Sequence, residues 1–73
     1  LAVKTGNNLP SHQERVVTEY SELLIKVEAL SNFINSNPIF QGLEEAEKEK
    51  LMQQHLAMSY YLIVLKERIE NFK

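Results

Sequence analysis

Polar and charged residues recur three or four residues apart near the start of the chain, and three of them could bind an anion. They are His12, Arg15, Glu19, Glu22 and Lys26, here called the polar stripe. This spacing places them on one side of a helix. Arg15 offers a fork of hydrogen-bond donors to a phosphate, His12 offers a flat ring to a base, and helix N-termini attract anions. The stripe therefore suggests a phosphate-binding groove.

The same residues are also typical of a solvated helix flank. Arg15 and Glu19 stand four residues apart, as do Glu22 and Lys26, so each pair could form an ion pair along the helix. Charged runs on a helix usually lie at the surface, and the two glutamates would repel a phosphate unless they pair across subunits. The pattern alone favours the solvated flank and keeps the anion site as its alternative.

A second group of candidate residues lies late in the chain. Tyr61, Val64 and Arg68 share one helix face, and Arg68 is one of only two arginines in the sequence. They could be an interface tyrosine with an arginine at the rim, since both types are enriched at subunit contacts. Arg68 could equally meet a phosphate where subunits join. His55 lies in an apolar repeat and is interpreted as a packed, hydrogen-bonded histidine.

Catalysis is not predicted. The chain has no cysteine, no aspartate and no glycine-rich phosphate loop, and neither histidine belongs to a nucleophile motif. Ser11 precedes His12, but Ser11 and Glu14 have the S-x-x-E spacing of a capping box, so Ser11 is expected to cap a helix. Two distant histidines without a thiol favour no metal site. We therefore expect a protein that is not an enzyme and needs no cofactor.

Two apolar repeats predict the helices that would position these residues. Their members alternate spacings of four and three, the signature of a heptad seam. The first repeat contains Val16, Tyr20, Leu23, Val27, Leu30 and Ile34; the second contains Leu51, His55, Met58, Leu62, Leu65, Ile69 and Phe72. The sequence predicts helices over about 12–34 and about 43–71.

Breaking residues separate the two repeats and precede the first. Asn37 comes before Pro38, where helix is disfavoured, and Gly42 adds a second break, so residues 35–42 are predicted to form a loop. Residues 1–10 contain the turn-forming Thr5–Asn8 and are predicted to be a flexible N-terminal arm. Residues 11–73 should form one all-α domain, an antiparallel two-helix hairpin.

A hairpin alone would leave much of the second helix uncovered. Tyr60–Leu65 is apolar on every side, and such a helix is buried on every side. A 73-residue chain without cysteine also lacks the disulfides that stabilise many small domains. The sequence therefore predicts assembly into a homo-oligomeric helical bundle, with a different partner protein as the alternative.

Charge and hydropathy exclude two further classes of partner. The net charge of −2 argues against binding to polymeric nucleic acid, which favours basic proteins. The longest apolar run, Tyr60–Leu65, is too short to span a bilayer. The first ten residues contain no long apolar run of the kind found in a signal peptide. These features lead us to expect a cytoplasmic protein without a membrane partner.

Residues 11–72 resemble the hairpin domain shared by phage anti-CBASS cyclic-oligonucleotide sponges and the N-terminal part of Thoeris anti-defence sponges. The resemblance lies in HQERVVTEYSELLIKVEALSNFI, a short NPIFQGL loop and LMQQHLAMSYYLIVLKERIENF. Its most diagnostic pieces are H-Q-x-R-V from His12, E-L-x-x-K from Glu22, and M-x-Y from Met58 with L-x-x-R-I from Leu65. The resemblance implies a homo-oligomer, commonly a hexamer, that sequesters cyclic dinucleotides or cyclic trinucleotides in the host cytoplasm without cleaving them.

The resemblance also implies roles for particular residues. Lys26 matches a lysine that meets a phosphate, and Ser11 or His12 occupies the region where family members stack an aromatic ring on a base. Glu28 stands where members place a hydroxyl, and a carboxylate there repels phosphate. Arg68 matches an arginine that serves a separate cyclic trinucleotide pocket. The alternative functions are a coiled-coil protein–protein interaction module or inhibitor without a nucleotide ligand, and, as a third, a hydrolase.

Overall fold

The computed structural model describes residues 9–72, and the chain there forms three helices. Helix α1 is Ser11–Ser36, helix α2 is Pro38–Gln41 and helix α3 is Glu45–Glu70. This stretch contains no strand, which confirms the all-α prediction. The predicted flexible arm lies outside the described residues, except for Leu9 and Pro10.

The start of α1 differs from the predicted capping box. Pro10 occupies the cap position with φ −55° and ψ 146°, and no side chain caps the helix. The Pro10 carbonyl accepts the backbone N–H groups of Gln13 at 2.9 Å and Glu14 at 3.0 Å. Ser11 is already the first helical residue, one position too late for its hydroxyl to cap. The prediction was wrong because proline holds φ near the value that a helix entry needs and so took the cap position.

The connection between the long helices contains the four-residue α2, within the predicted loop of 35–42. Asn37 is extended, with φ −90° and ψ 123°, as expected for a residue before proline. Its backbone N–H donates to the Phe33 carbonyl at 3.2 Å, and its Oδ1 accepts the Ile39 N–H at 2.9 Å. Asn37 therefore ends α1 and begins α2.

Aromatic contacts attach this connection to both long helices. The buried Phe40 of α2 meets Phe33 of α1 edge to face, with ring centroids 6.0 Å apart. The Nζ of Lys48 in α3 lies 5.8 Å from the centroid of the Phe40 ring and 3.5 Å from Oε1 of Glu45. Phe40 thus links the end of α1 to the start of α3.

The two long helices pack against each other along the predicted heptad seams. The buried core joins residues 16–27 of α1 to the second half of α3, so the helices run antiparallel. Its members are Val16, Leu23, Val27 and Leu65, with Tyr20, Met58, Leu62, Ile69 and Phe72 packed against them. Every one of these residues belongs to a predicted seam, so the seam prediction is confirmed. Leu65 is the only side chain of this core with no exposed surface.

The molecule is a thin rod. Its extents are 48 × 18 × 15 Å and its radius of gyration is 15.5 Å, whereas a compact chain of this length would have about 11 Å. Each of the two long helices can bury only the face that contacts the other helix. Large apolar side chains on the remaining faces are therefore exposed. These are Ile25, Ile39, Met52, Leu56, Tyr60, Tyr61 and Ile63.

Between residues 9 and 72, no helix has both the length and the hydropathy to cross a membrane.

Candidate anion-binding site

The middle of the polar stripe lines a groove on the surface of α1. The groove has a volume of about 340 Å³ and is lined by Ser11, Glu14, Arg15, Thr18, Glu19 and Glu22. Three carboxylates face one guanidinium there, so the local charge is negative. The groove alone would repel a phosphate, and an anion site here needs cations from elsewhere.

The two predicted ion pairs of the polar stripe are not formed. Among residues 9–72 the structure has one ion pair, between Lys48 and Glu45. Arg15 is therefore not within 4.0 Å of the Glu19 carboxylate, and Lys26 is not within 4.0 Å of Glu22. Both cations are exposed, and their charge stays available to a ligand.

Most of the other candidate residues are exposed outside this groove. Ser11 lines it, whereas His12, Lys26, Glu28 and Arg68 do not. Glu28 follows Lys26 by two residues, which is more than half a helical turn, so the two side chains leave α1 in nearly opposite directions. One chain therefore cannot bring Lys26 and Glu28 to the same small ligand.

A second cavity, which the sequence did not indicate, lies between α1 and α3 near the connection. It measures about 270 Å³ and is lined by Ser31, Ile34, Asn35, Met52, His55 and Leu56. The Asn35 amide donates to the Ser31 hydroxyl at 3.3 Å. His55 is half-buried at this cavity, as its place in the seam predicted.

The cavity continues into a row of exposed apolar side chains along α3. We call Met52, Leu56, Tyr60 and Ile63 the apolar row; each side chain exposes 45% or more of its surface. Their spacings of four, four and three put them on one helix face. That spacing was visible in the sequence, but the stronger four-three repeat of the seam overlaps it. The apolar row can therefore be recognised only after the seam residues have been assigned to the core.

Gln13 is a further residue that sequence analysis missed. Its Oε1 is buried and has no hydrogen-bond partner among residues 9–72. A buried acceptor without a donor costs about 1–3 kcal/mol. Glutamine at a helix start gives no signal of this kind in a sequence, because its burial depends on what packs beside it.

No three histidine or glutamate side chains between residues 9 and 72 come together as possible metal ligands.

Residues 9–72 form a small helical hairpin in which Arg15 and Lys26 are exposed and form no ion pair. The Sequestin family model matches residues 10–71, so the chain belongs to the Sequestin family, whose name is that of a phage anti-defence sponge family. The resemblance to phage anti-defence sponges is thereby confirmed.

A phage relative supports the same membership. Over 63 residues the chain is 38% identical to the uncharacterised 7.5 kDa protein in the denB-rIIB intergenic region of Enterobacteria phage T4. The match covers 86% of this chain and 97% of that protein. No solved structure matches the chain significantly.

Proposed function

We propose that this protein is a phage anti-defence sponge that sequesters cyclic nucleotide immune signals, either cyclic dinucleotides or cyclic trinucleotides. The match of residues 10–71 to the Sequestin family is the observation that carries the proposal. The protein would act in the host cytoplasm during infection, against the signals of CBASS or Thoeris defences. It would hold the ligand intact, without a cofactor.

The unpaired cations support an anionic ligand. Arg15 and Lys26 are exposed and free of ion pairs within the described residues, so a phosphate would not have to displace a carboxylate from them. A charge-assisted hydrogen bond is worth about 1.5–3 kcal/mol. In this proposal Arg15 and Lys26 contact phosphate, and His12 or Ser11 lies beside a base.

Assembly is the second part of the proposal. A homo-oligomer, commonly a hexamer in the family that this sequence resembles, would bury the apolar row of α3. It would also bring cations of one chain to the negatively charged groove of another. Side chains such as Leu56, 70% exposed in the single chain, favour burial against further copies.

Ligand recovery tests this proposal. The purified protein is incubated separately with cyclic dinucleotides and cyclic trinucleotides, washed, and heated to release whatever it holds. Mass spectrometry of the released material should show an intact cyclic nucleotide. A linear product would make the protein a hydrolase and contradict sequestration.

The apolar row also favours a second candidate function, a coiled-coil interaction module without a nucleotide ligand. Met52, Leu56 and Ile63 are exposed at helical spacing and could bind a helix of another protein. Failure to recover any cyclic nucleotide, together with a stable complex containing a host or phage protein, would favour this candidate.

A further inference from the structure

Two glutamates bound the apolar row of α3. Glu49 lies three residues before Met52 and Glu67 lies four residues after Ile63, so both carboxylates share the helix face of the row. Both are exposed, and within residues 9–72 the structure pairs neither with a cation. The row is therefore an apolar surface that has one negative charge at each end, and the two charges are about 27 Å apart along the helix.

These end charges oppose contact between the rows of two copies. In parallel packing, each glutamate would lie opposite the same residue of the other copy. In antiparallel packing with the rows aligned, Glu49 of one copy would lie opposite Glu67 of the other. Like charges repel in both cases, and a carboxylate covered without a cation costs further desolvation energy. The row therefore requires a partner surface that is apolar in its middle and cationic at its ends.

A surface of this kind lies on the neighbouring side of α3, one residue further along. We call it the basic stripe; its members are Lys50, Gln53, Ala57, Tyr61, Val64 and Arg68. Each position follows its counterpart in the glutamate-bounded row by one residue, so the spacings are identical. Lys50 and Arg68 are exposed, and neither forms an ion pair within the described residues. Because one residue turns about 100° around a helix, a single chain can present the row to one copy and the basic stripe to another.

Parallel packing brings the two surfaces into register. Each row residue then lies opposite the basic-stripe residue one position later in the next copy. The apolar pairs are Leu56 with Ala57, Tyr60 with Tyr61, and Ile63 with Val64, while Met52 lies opposite Gln53. The displacement is a single residue, or about 1.5 Å, so neighbouring copies stand level. A head-to-tail contact between level copies can close into a ring, in which every row is covered.

We propose that the apolar row of one copy packs in parallel on the basic stripe of the next copy, with Glu49 opposite Lys50 and Glu67 opposite Arg68. This inference rests on the assembly that is part of the proposed function, and it names the surfaces that meet. One side of the rod measures 48 × 18 Å, which has room for the roughly 800 Å² that each partner buries in a stable complex. Arg68 then stands at a junction between copies.

A charge swap at one of these pairs tests the contact. Glu49→Lys and Lys50→Glu each place like charges opposite each other, and at low salt each should raise the dissociation constant of the assembly by about tenfold. The double substitution restores opposite charges in reversed order, without changing the net charge. Its dissociation constant should return to within about threefold of the wild-type value. Light scattering over a dilution series measures the dissociation.

Glu47→Lys is the matched control for the charge swap, because Glu47 is an exposed glutamate of α3 that belongs to neither surface. It should change the dissociation constant by less than about twofold. Circular dichroism checks that every variant keeps its helix content. A wild-type monomer, single substitutions that act no more strongly than Glu47→Lys, or a double substitution that stays as dissociated as the single ones would overturn the proposal.

Cross-linking tests the direction of packing with smaller changes. The chain has no cysteine, so Ile63→Cys and Val64→Cys each introduce one thiol. The two variants are mixed and refolded together, and a short bis-maleimide should link one to the other. Ile63→Cys mixed with Gln53→Cys is the matched antiparallel pair and should not be linked. Linkage of Ile63→Cys to itself, or preferential linkage to Gln53→Cys, would refute the parallel contact of the row with the basic stripe.

Neither measurement uses a nucleotide, so failure of this contact is distinct from failure of the sponge. Assembly restored by the charge swap, without recovery of a cyclic nucleotide, would support the contact and reject the sponge. Recovery of a cyclic nucleotide together with an ineffective charge swap would support the sponge and reject the contact.

Discussion

At the scale of single residues, the seam is the part of the molecule that the sequence predicted best. A heptad repeat depends on the period of one helix alone, so Val16, Leu23 and Leu65 could be assigned to the core before their partners were known. Between residues 9 and 72, six apolar residues are buried, and Leu65 alone among them has no exposed surface. A core this small should be sensitive to a single truncation.

We expect Leu65→Ala to lower the free energy of unfolding by about 2–5 kcal/mol, because it removes buried methyl groups and leaves a cavity. Urea denaturation at fixed protein concentration measures the change. Lys66→Ala, at the exposed neighbouring position, should change stability by less than about 0.5 kcal/mol. Equal effects of the two substitutions would show that Leu65 does not lie at the centre of the core.

A second prediction concerns Glu19, a carboxylate that lines the groove of α1 together with Arg15. Glu19→Gln should strengthen binding of a cyclic dinucleotide by about threefold, because it removes one unit of repulsion several ångströms from a phosphate. Glu28→Gln removes the same charge from the opposite side of α1 and should have a smaller effect. Calorimetry at low salt compares the two variants, and a loss of affinity in Glu19→Gln would mean that Glu19 serves the ligand directly.

At the scale of elements, the connection between α1 and α3 was predicted only in part from the sequence. Asn37 and Pro38 predicted a break correctly, since the clash before proline is local. The four-residue α2 was not predicted, because one helical turn has no apolar period to detect. The second break that Gly42 predicted is also present, since α2 ends directly before it, but its φ of −84° and ψ of −4° are accessible to any residue. Its glycine is therefore not required by backbone conformation.

We therefore expect replacement of Asn37 to lower the stability of the protein, and replacement of Gly42 to leave it unchanged or raise it. Asn37→Ala loses the side-chain acceptor of the Ile39 N–H and should cost about 0.5–2 kcal/mol. Gly42→Ala should be neutral or gain up to about 1 kcal/mol, because an added Cβ would meet only the Ile39 carbonyl oxygen at 3.6 Å. Urea denaturation ranks the two variants, and the reverse order would contradict this account of the connection.

At the scale of the whole molecule, the main feature is that the hairpin leaves large apolar side chains exposed to solvent. The all-round apolar run Tyr60–Leu65 predicted that one hairpin partner would not suffice. The structure leaves Tyr60, Tyr61 and Ile63 exposed. The cavity could not be predicted, because it depends on the register between α1 and α3 rather than on either helix alone.

We expect the protein to be a homo-oligomer at micromolar concentration, and Leu56→Glu to dissociate it. A charge placed in a dry interface costs several kcal/mol, whereas Leu56 is 70% exposed in the single chain, so the hairpin itself should tolerate the change. Light scattering gives the mass and circular dichroism gives the helix content. A wild-type monomer, or an unchanged oligomer in the variant, would contradict burial of the apolar row.

The antiparallel course of the two long helices has a practical consequence for anyone handling the protein. Leu9 and Phe72, the outermost described residues, lie at the same pole of the rod, beside Arg15 and Arg68. A large label attached close to Leu9 or Phe72 would therefore lie beside both arginines. The turn at Gln41 and Gly42 is exposed at the opposite pole, about 40 Å away by helix length. A reporter inserted there should leave ligand capture undisturbed.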